Sequence, residues 1–282
     1  MAMPKSKYAT PFPVLHAASL LDHRSRIHKF DEALKQLVTP NSYVIDLGTG
    51  SGVLSFLAAR AGARKVTAVD ISPECIDYAR KAASMNGLED RVEFFVGHFS
   101  DFRPTERADL VVCEMLSSMM LIEQQVPACS HALKHLLKKG GRLIPESAEV
   151  WIVPVESPAA WGRFELPELH FPRVPQTVGL DDFKDLAAAR HLVSFDFGSH
   201  RSPQTVDREL SFDISEQGTL HGLVGFFKAK LLDDIALHME DGWRDIFLPI
   251  ETPTKVVSGE GVTVRVRYTP GRVDSILWEL KV

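Results

Sequence analysis

The chain has 282 residues, 45% of them hydrophobic and 24% charged, enough for two hydrophobic cores of ordinary domain size. Its 32 basic and 37 acidic residues leave a net charge of −5, so no global field draws it to nucleic acid or to an anionic membrane. The opening Met-Ala-Met-Pro-Lys-Ser-Lys has no apolar core of a signal peptide, and no apolar run approaches the roughly 18 residues of a membrane span, which points to the cytoplasm and to no membrane partner.

In chain order, residues 26–37 carry the pattern of an amphipathic helix. Residues 44–47 read as a first strand, 53–61 as a helix and 65–69 as a second strand. A helix over 73–86 is opened by Ser72 with Pro73 in its first turn and closed by Asn86-Gly87. Strands follow at 92–96 and 108–113, then a helix over 123–139, after which Gly140-Gly141 turns the chain into Arg142-Leu-Ile-Pro. Strands alternating with helices predict an α/β fold with a doubly wound parallel sheet. From about residue 151 short apolar alternating runs broken by proline, glycine and serine predict antiparallel strands in a β barrel or sandwich, clearest at 220–231, 243–248 and 261–268. Residues 154–175 are proline-rich and poorly patterned, and 181–190 read as a short helix. The division expected is therefore 1–37, 38–150 and 151–282.

Chemistry concentrates at strand ends. The first strand ends in Asp46 and runs into a loop carrying Gly48, Gly50 and Gly52, glycines that let backbone turn tightly and let a ligand approach with no Cβ in the way. Asp70 closes the neighbouring strand, where a carboxylate can accept both hydroxyls of a ribose. The glycine spacing departs from the G-x-G-x-x-G of pyrophosphate-binding folds, so the pair points to a nucleoside-bearing ligand without a pyrophosphate. At the end of the fourth strand Glu114 begins a loop that closes at Glu123. Two carboxylates facing one cleft favour a cation between them, and a planar guanidinium satisfies both through forked hydrogen bonds; the alternative makes Glu114 a cap and Glu123 a first-turn acid of the next helix. Cys75, Cys113 and Cys129 match no zinc or redox spacing and read as reduced packing residues, and no metal site is expected.

Val44-Ile-Asp-Leu-Gly-Thr-Gly-Ser-Gly resembles the first motif of S-adenosylmethionine (SAM) dependent methyltransferases, and Val69-Asp-Ile-Ser resembles their acidic ribose-binding turn, which adds Ile71 to the cofactor residues. The loop from Glu114 to Glu123 resembles the double-glutamate loop of the protein arginine methyltransferases, where two glutamates at this separation grip the substrate guanidinium. Further likeness lies in Ala61-Gly-Ala-Arg-Lys-Val, in Arg142-Leu-Ile-Pro145, and in Gly222-Leu-Val-Gly-Phe-Phe, Gly242-Trp243-Arg244-Asp-Ile-Phe-Leu and Val257-Ser-Gly-Glu260. His23-Arg-Ser-Arg26-Ile is similar to the segment that folds over the cofactor. The resemblance implies SAM as cofactor, Arg26 on its methionine carboxylate, a Rossmann-like cofactor domain over 38–150 covered by 1–37, a substrate-binding β barrel over 151–282, and a homodimer.

The chain departs from that pattern in places. Asp241-Gly242-Trp243 stands where the barrel loop usually reads Thr-His-Trp, Ser117-Ser118 replaces a glycine and an aromatic, and Ser100 stands where an acid commonly meets the adenine amino group, leaving backbone near His98 and Phe99 to do so. Little room is evident for a dimerisation arm. The expected activity is methyl transfer to a basic nitrogen of a protein or small molecule held between Glu114 and Glu123. Its alternatives are a small-molecule N-methyltransferase of an amine or guanidine metabolite and a noncatalytic SAM-binding module. No Asn-Pro-Pro-Tyr motif follows the fourth strand, which disfavours nucleic-acid bases as acceptors, and the glycine spacing disfavours a nicotinamide oxidoreductase. His16, His23 and His28 read as polar side chains of an exposed helix. Met115, Met119 and Met120 fit either an adaptable acceptor pocket or core, and Trp243 either the acceptor cleft, by resemblance, or core.

Overall fold

A computed structural model describes residues 12–199 and 204–281, so the first eleven residues of the expected covering segment and the terminal Val282 lie outside the described residues. Helices α1 (Val14–Ser19) and α2 (Arg24–Leu37) precede the sheet. The five parallel strands are β1 (Tyr43–Leu47), β2 (Lys65–Asp70), β3 (Val92–Val96), β4 (Ala108–Cys113) and β5 (Leu137–Ile144), in the order β3-β2-β1-β4-β5. All five residues of β1 are buried, as befits the central strand of a parallel sheet covered on both faces. The crossovers are α3 (Val53–Arg60), α4 (Pro73–Met85) and α5 (Gln125–His131). Helix α2 buries Phe30, Ala33 and Leu34. At α4 the Ser72 hydroxyl accepts from the Cys75 N–H at 3.2 Å, the cap foreseen there.

Most sequence expectations for this half hold to within a residue or two, with one correction. Instead of a helix over 123–139, α5 runs only from Gln125 to His131, a wider turn covers Ala132–Leu136, and β5 begins at Leu137. Gly140-Gly141 lies inside that strand, where the pairing jumps from Ala108↔Leu137 to Leu110↔Arg142 and Gly140 takes φ +79°. A bulge absorbs residues that the helical periodicity had claimed.

The second half is antiparallel. Strand β6 (Ser147–Glu156) leads through a short helix, α6 (Pro158–Gly162), to a hairpin of β7 (Glu165–Leu166) and β8 (Leu169–His170), then to β9 (Gln176–Val178), β10 (Lys184–Asp185), β11 (Arg190–Asp196), β12 (Val206–Asp213), β13 (Gly218–Leu232), β14 (Ile235–Leu237), β15 (Asp245–Val256), β16 (Gly261–Tyr268) and β17 (Leu277–Lys281). One sheet runs β10-β6-β13-β15-β9, another β12-β16-β17, giving a barrel-like half. The short helix expected at 181–190 is absent: only Leu180–Asp182 makes one 3₁₀ turn, and Lys184 and Asp185 pair with Glu156 and Val155. Strand β15 outruns the predicted 243–248 because Pro249, which has no N–H to give, sits at a register shift opposite Gly222. Buried side chains of both halves join in one core from Phe30 and Ile45 through Met119 to Leu223 and Phe227.

Candidate active site

A cavity of about 710 Å³ opens at the carboxyl ends of β1, β2 and β4, roofed by the amino-terminal helices and closed from the barrel side by Trp243 and its neighbours. That is where a doubly wound sheet presents a ligand site. Gly48, Gly50 and Gly52 adopt φ +76°, +51° and +85°. At Gly48 a Cβ would also meet Met115 Cγ at 2.9 Å, so both conformation and space call for glycine. Asp70 spans the loop: one carboxylate oxygen accepts from the Gly50 N–H and the other from the Ser72 N–H, both at 2.8 Å. Burial raises its pKa, and these backbone donors oppose the rise. Asp70 lines the cavity, as do Ile71, His98 and Phe99.

Two residues expected at the cofactor sit elsewhere. Asp46, 1% exposed, lies beneath the loop, where one oxygen accepts from Thr49 Oγ1 and Ser55 Oγ, each at 2.7 Å, and the other has no hydrogen-bond partner among the described residues. Burial lifts its carboxyl to about 6. Gly52 faces α3 and α4, where a Cβ would lie 2.6 Å from the Phe56 ring. Both shape the loop from behind and neither lines the cavity.

Glu114 and Glu123 line the same cavity. Neither takes the capping role weighed for it: α5 starts two residues after Glu123, and the Glu114 carboxylate pairs with Arg26 at 3.2 Å. Burial raises the Glu114 pKa against the opposing pull of Arg26. Glu123 has no hydrogen-bond or ion-pair partner for its carboxyl among the described residues; burial first, and the charge of Glu114 second, push it up to about 8. Arg26, 5% exposed, also donates to the Leu20 carbonyl at 3.3 Å and lies 5.5 Å from the Trp243 ring centre. One guanidinium thus touches the roof, the first glutamate and the barrel.

The loop between the glutamates holds its shape through residues to which sequence reasoning gave no role in shaping it. The Ser117 hydroxyl accepts from the N–H groups of Ile122 and Glu123, and Ser118 Oγ donates to the Arg244 carbonyl. Gln125, fully buried, accepts from the Met115 N–H at 2.7 Å and donates to the Cys113 carbonyl at 2.8 Å. Met119 and Met120 take positive φ and are fully buried, whereas Met115 lines the cavity, so the methionines divide between core and pocket. Trp243 lines the cavity and donates to the Leu116 carbonyl at 3.0 Å. His16 and His28 are exposed as expected, His28 paired with Glu32, whereas His23 is half-buried; His16 and His23 also line the cavity. A pattern of spacing could not separate them, because the chain bends at Leu20–Asp22 between the two helices.

Comparison with known proteins agrees with the fold. The family model for ribosomal protein L11 methyltransferase (PrmA) matches residues 31–145. An uncharacterized protein of Methanocaldococcus jannaschii is 35% identical over 140 residues, 49% of this chain and 53% of that protein. An arginine N(omega)-methyltransferase of Streptomyces achromogenes subsp. streptozoticus is 24% identical over 277 residues, 89% of this chain and 75% of that one. A probable protein arginine N-methyltransferase 6 of Arabidopsis thaliana is 31% identical over 49% of this chain and 32% of its own. The chain thus spans about half the length of the first of these relatives. In fold it is similar to Trypanosoma brucei PRMT1, solved as an enzyme–prozyme heterotetrameric complex with AdoHcy, at a TM-score of 0.80 and 22% identity over 93% of this chain and 91% of that one. Strand order and glycine loop define a Rossmann-like fold, and residues 31–145 are similar to a methyltransferase family model. In sequence the chain is similar to arginine methyltransferases, and in fold to PRMT1. No helix among the described residues is long and apolar enough to cross a membrane, and no cluster of three or more metal-ligating side chains occurs among them.

Proposed function

We propose that the protein is a SAM-dependent N-methyltransferase that acts on a guanidinium held by Glu114 and Glu123. The observation that carries the reading is Glu123, a carboxyl without a hydrogen-bond or ion-pair partner among the described residues and raised to about 8 beside Glu114, in the cavity that the glycine loop and Asp70 also line. A cation between the two carboxylates would remove the penalty that keeps Glu123 protonated.

The chain's own residues fit SAM. A cavity of about 710 Å³ is of the size that encloses small ligands, Asp70 offers two anchored oxygens to a ribose, and Arg26 offers a guanidinium to a carboxylate. When bound, SAM supplies a sulfonium methyl that an acceptor nitrogen takes by in-line displacement, leaving a neutral thioether. The glutamates orient the acceptor nitrogen toward that methyl and stabilise its charge, and either can accept the proton released afterwards. The glycine loop, Ile71, His98 and Phe99, which line the cavity, would hold the nucleoside and methionine parts.

A second reading, a guanidine metabolite as acceptor, draws support from the Streptomyces relative. Its name is that of an arginine rather than a protein arginine methyltransferase, and it aligns over 89% of this chain. For assembly we keep a homodimer, with exposed Leu166, Leu169 and Phe171 around the β7–β8 hairpin as its apolar face; light scattering of wild type and a Phe171→Ser variant tests it. The deciding experiment is transfer of labelled methyl from SAM to intact proteins, arginine peptides and a guanidine pool, with Glu123→Gln alongside. Glutamate-dependent label in protein or peptide supports a protein substrate, label in the guanidine pool alone supports the metabolite, and SAM binding with no label in any pool leaves a binding module.

A further inference from the structure

We infer that His23 is a specificity-determining residue at the acceptor end of the cavity, donating from Nε2 to an oxygen of an arginine-type acceptor; this rests on the methyl-transfer reading above. The argument starts at Gly242, which takes φ +132° and has His23 against it: a Cβ there would lie 2.2 Å from Nδ1, 2.5 Å from Cγ and 2.8 Å from Cε1. The ring therefore occupies the space of a side chain at position 242, beside Trp243, though it comes from the far end of the sequence.

The placement is clamped on both sides. Asp241 accepts from Ser25 Oγ, from Lys29 Nζ at 2.6 Å and from the His238 N–H at 2.8 Å, which ties the barrel loop to the first turns of α2. Nδ1, turned to the glycine, is buried with no hydrogen-bond partner among the described residues. A buried N–H without an acceptor is rarer than a buried lone pair without a donor, so Nδ1 keeps the lone pair and the proton resides on Nε2. With the Nδ1 edge against Gly242, the Nε2 edge faces the cavity that His23 lines. Burial, and Arg26 after it, lower the pKa of the imidazole, so it is neutral near pH 7.

A neutral N–H donor has nothing to offer a guanidinium, which has donors only. It can bind a carboxylate or peptide carbonyl, so arginine, free or in a peptide, is favoured over the same guanidinium arm without an oxygen.

The test compares kcat and KM of wild type, His23→Ala and His23→Gln with L-arginine, a blocked arginine peptide and agmatine, which has the guanidinium and no oxygen. The expected result is a KM raised about 3- to 10-fold by His23→Ala for the oxygen-bearing acceptors, the range of one hydrogen bond, little change for agmatine, and recovery in His23→Gln. The acceptor showing the larger effect tells carboxylate from peptide carbonyl. Equal losses on all three acceptors, as from a purely structural role, overturn the inference. If wild type methylates none of them, the methyl-transfer reading fails, and the inference is judged by histidine ¹⁵N spectra of protein saturated with S-adenosylhomocysteine. The His23 Nε2 signal, assigned by its loss in His23→Ala, should shift with L-arginine and not with agmatine; no shift, or equal shifts, overturns it.

Discussion

Glu123→Gln separates what the second carboxylate does to the fold from what it does for the acceptor. Burial and Glu114 carry this carboxyl from 4.5 to about 8, which at about 1.36 kcal/mol per unit corresponds to roughly 4 to 5 kcal/mol if fully realised. Water in the cavity screens part of that, so about 2 kcal/mol is the working figure. The sign follows from a folded-state pKa above the unfolded one. Below pH 4.5 both states hold the proton and nothing is lost. Between 4.5 and about 8 the folded state keeps a proton the unfolded state has released, so stability falls as pH rises, and above about 8 the loss is complete. Glutamine never titrates, so the variant should melt about 4 °C above wild type at pH 9 and level with it near pH 4.5, at about 2 °C per kcal/mol for a chain of this size. Activity should move the other way. Gripping a cation requires Glu123 ionised, so wild-type kcat/KM should climb through about pH 8, while the variant loses on the order of 10²- to 10³-fold with cofactor affinity held within about twofold. Calorimetric melts at five pH values and one pH–rate profile suffice. Wild-type turnover in the variant, or a melting difference that ignores pH, refutes the reasoning.

Four other outcomes follow. Asp70→Asn removes the charge that Gly50 and Ser72 donate to, and should weaken SAM binding about 10- to 100-fold by titration calorimetry. Arg26→Ala leaves Glu114 buried without its cation and should destabilise the ligand-free protein by about 3 kcal/mol at pH 8 in denaturant melts, with a smaller loss at pH 5, where Glu114 is more readily protonated. Asp46→Asn, off the cavity, should shift melting through the Thr49 and Ser55 bonds while leaving SAM affinity within about threefold. Gly242→Ala should destabilise wild type more than His23→Ala, because strain at φ +132° is common to both backgrounds and the ring clash is not; equal losses in the two mean that the ring does not occupy that space.

Legibility along the chain followed how local each determinant is. The cofactor half is written in contiguous stretches: β1, its glycine turn and Asp70 lie within 28 residues, and each does its work through backbone conformation or a strand end. Asp46 and Gly52 belong to the same motif yet serve it from behind, a distinction of direction that spacing does not carry. The helix over 123–139 was overextended because periodicity has no signal for a bulge that turns Leu137–Ile144 into a strand. Strand β15 was cut short because its prolines are tolerable only at an irregular pairing, and pairing is a tertiary fact.

The acceptor end was least legible because it is assembled across the whole chain. Spacing alone leaves Glu123 open between a cleft carboxylate and a helix-start acid, and it carries no sign of Ser117, which folds the loop back by accepting from the Glu123 N–H. Gly242 reads as a missing side chain until His23 is seen against it. Sequence counts that position as a loss, whereas the cavity is a sum over residues that meet there, and the sum contains an imidazole either way. Arg26 joins the two ends: it pairs with Glu114, and it stands beside Trp243. A ligand carboxylate that engages Arg26 would weaken its hold on Glu114, and a second cation would then be needed between the glutamates. On this geometry cofactor binding should tighten acceptor binding, and since such coupling is reciprocal, the same factor should appear when the order of titration is reversed. Independent affinities in the two orders would mean that Arg26 stays on Glu114 throughout.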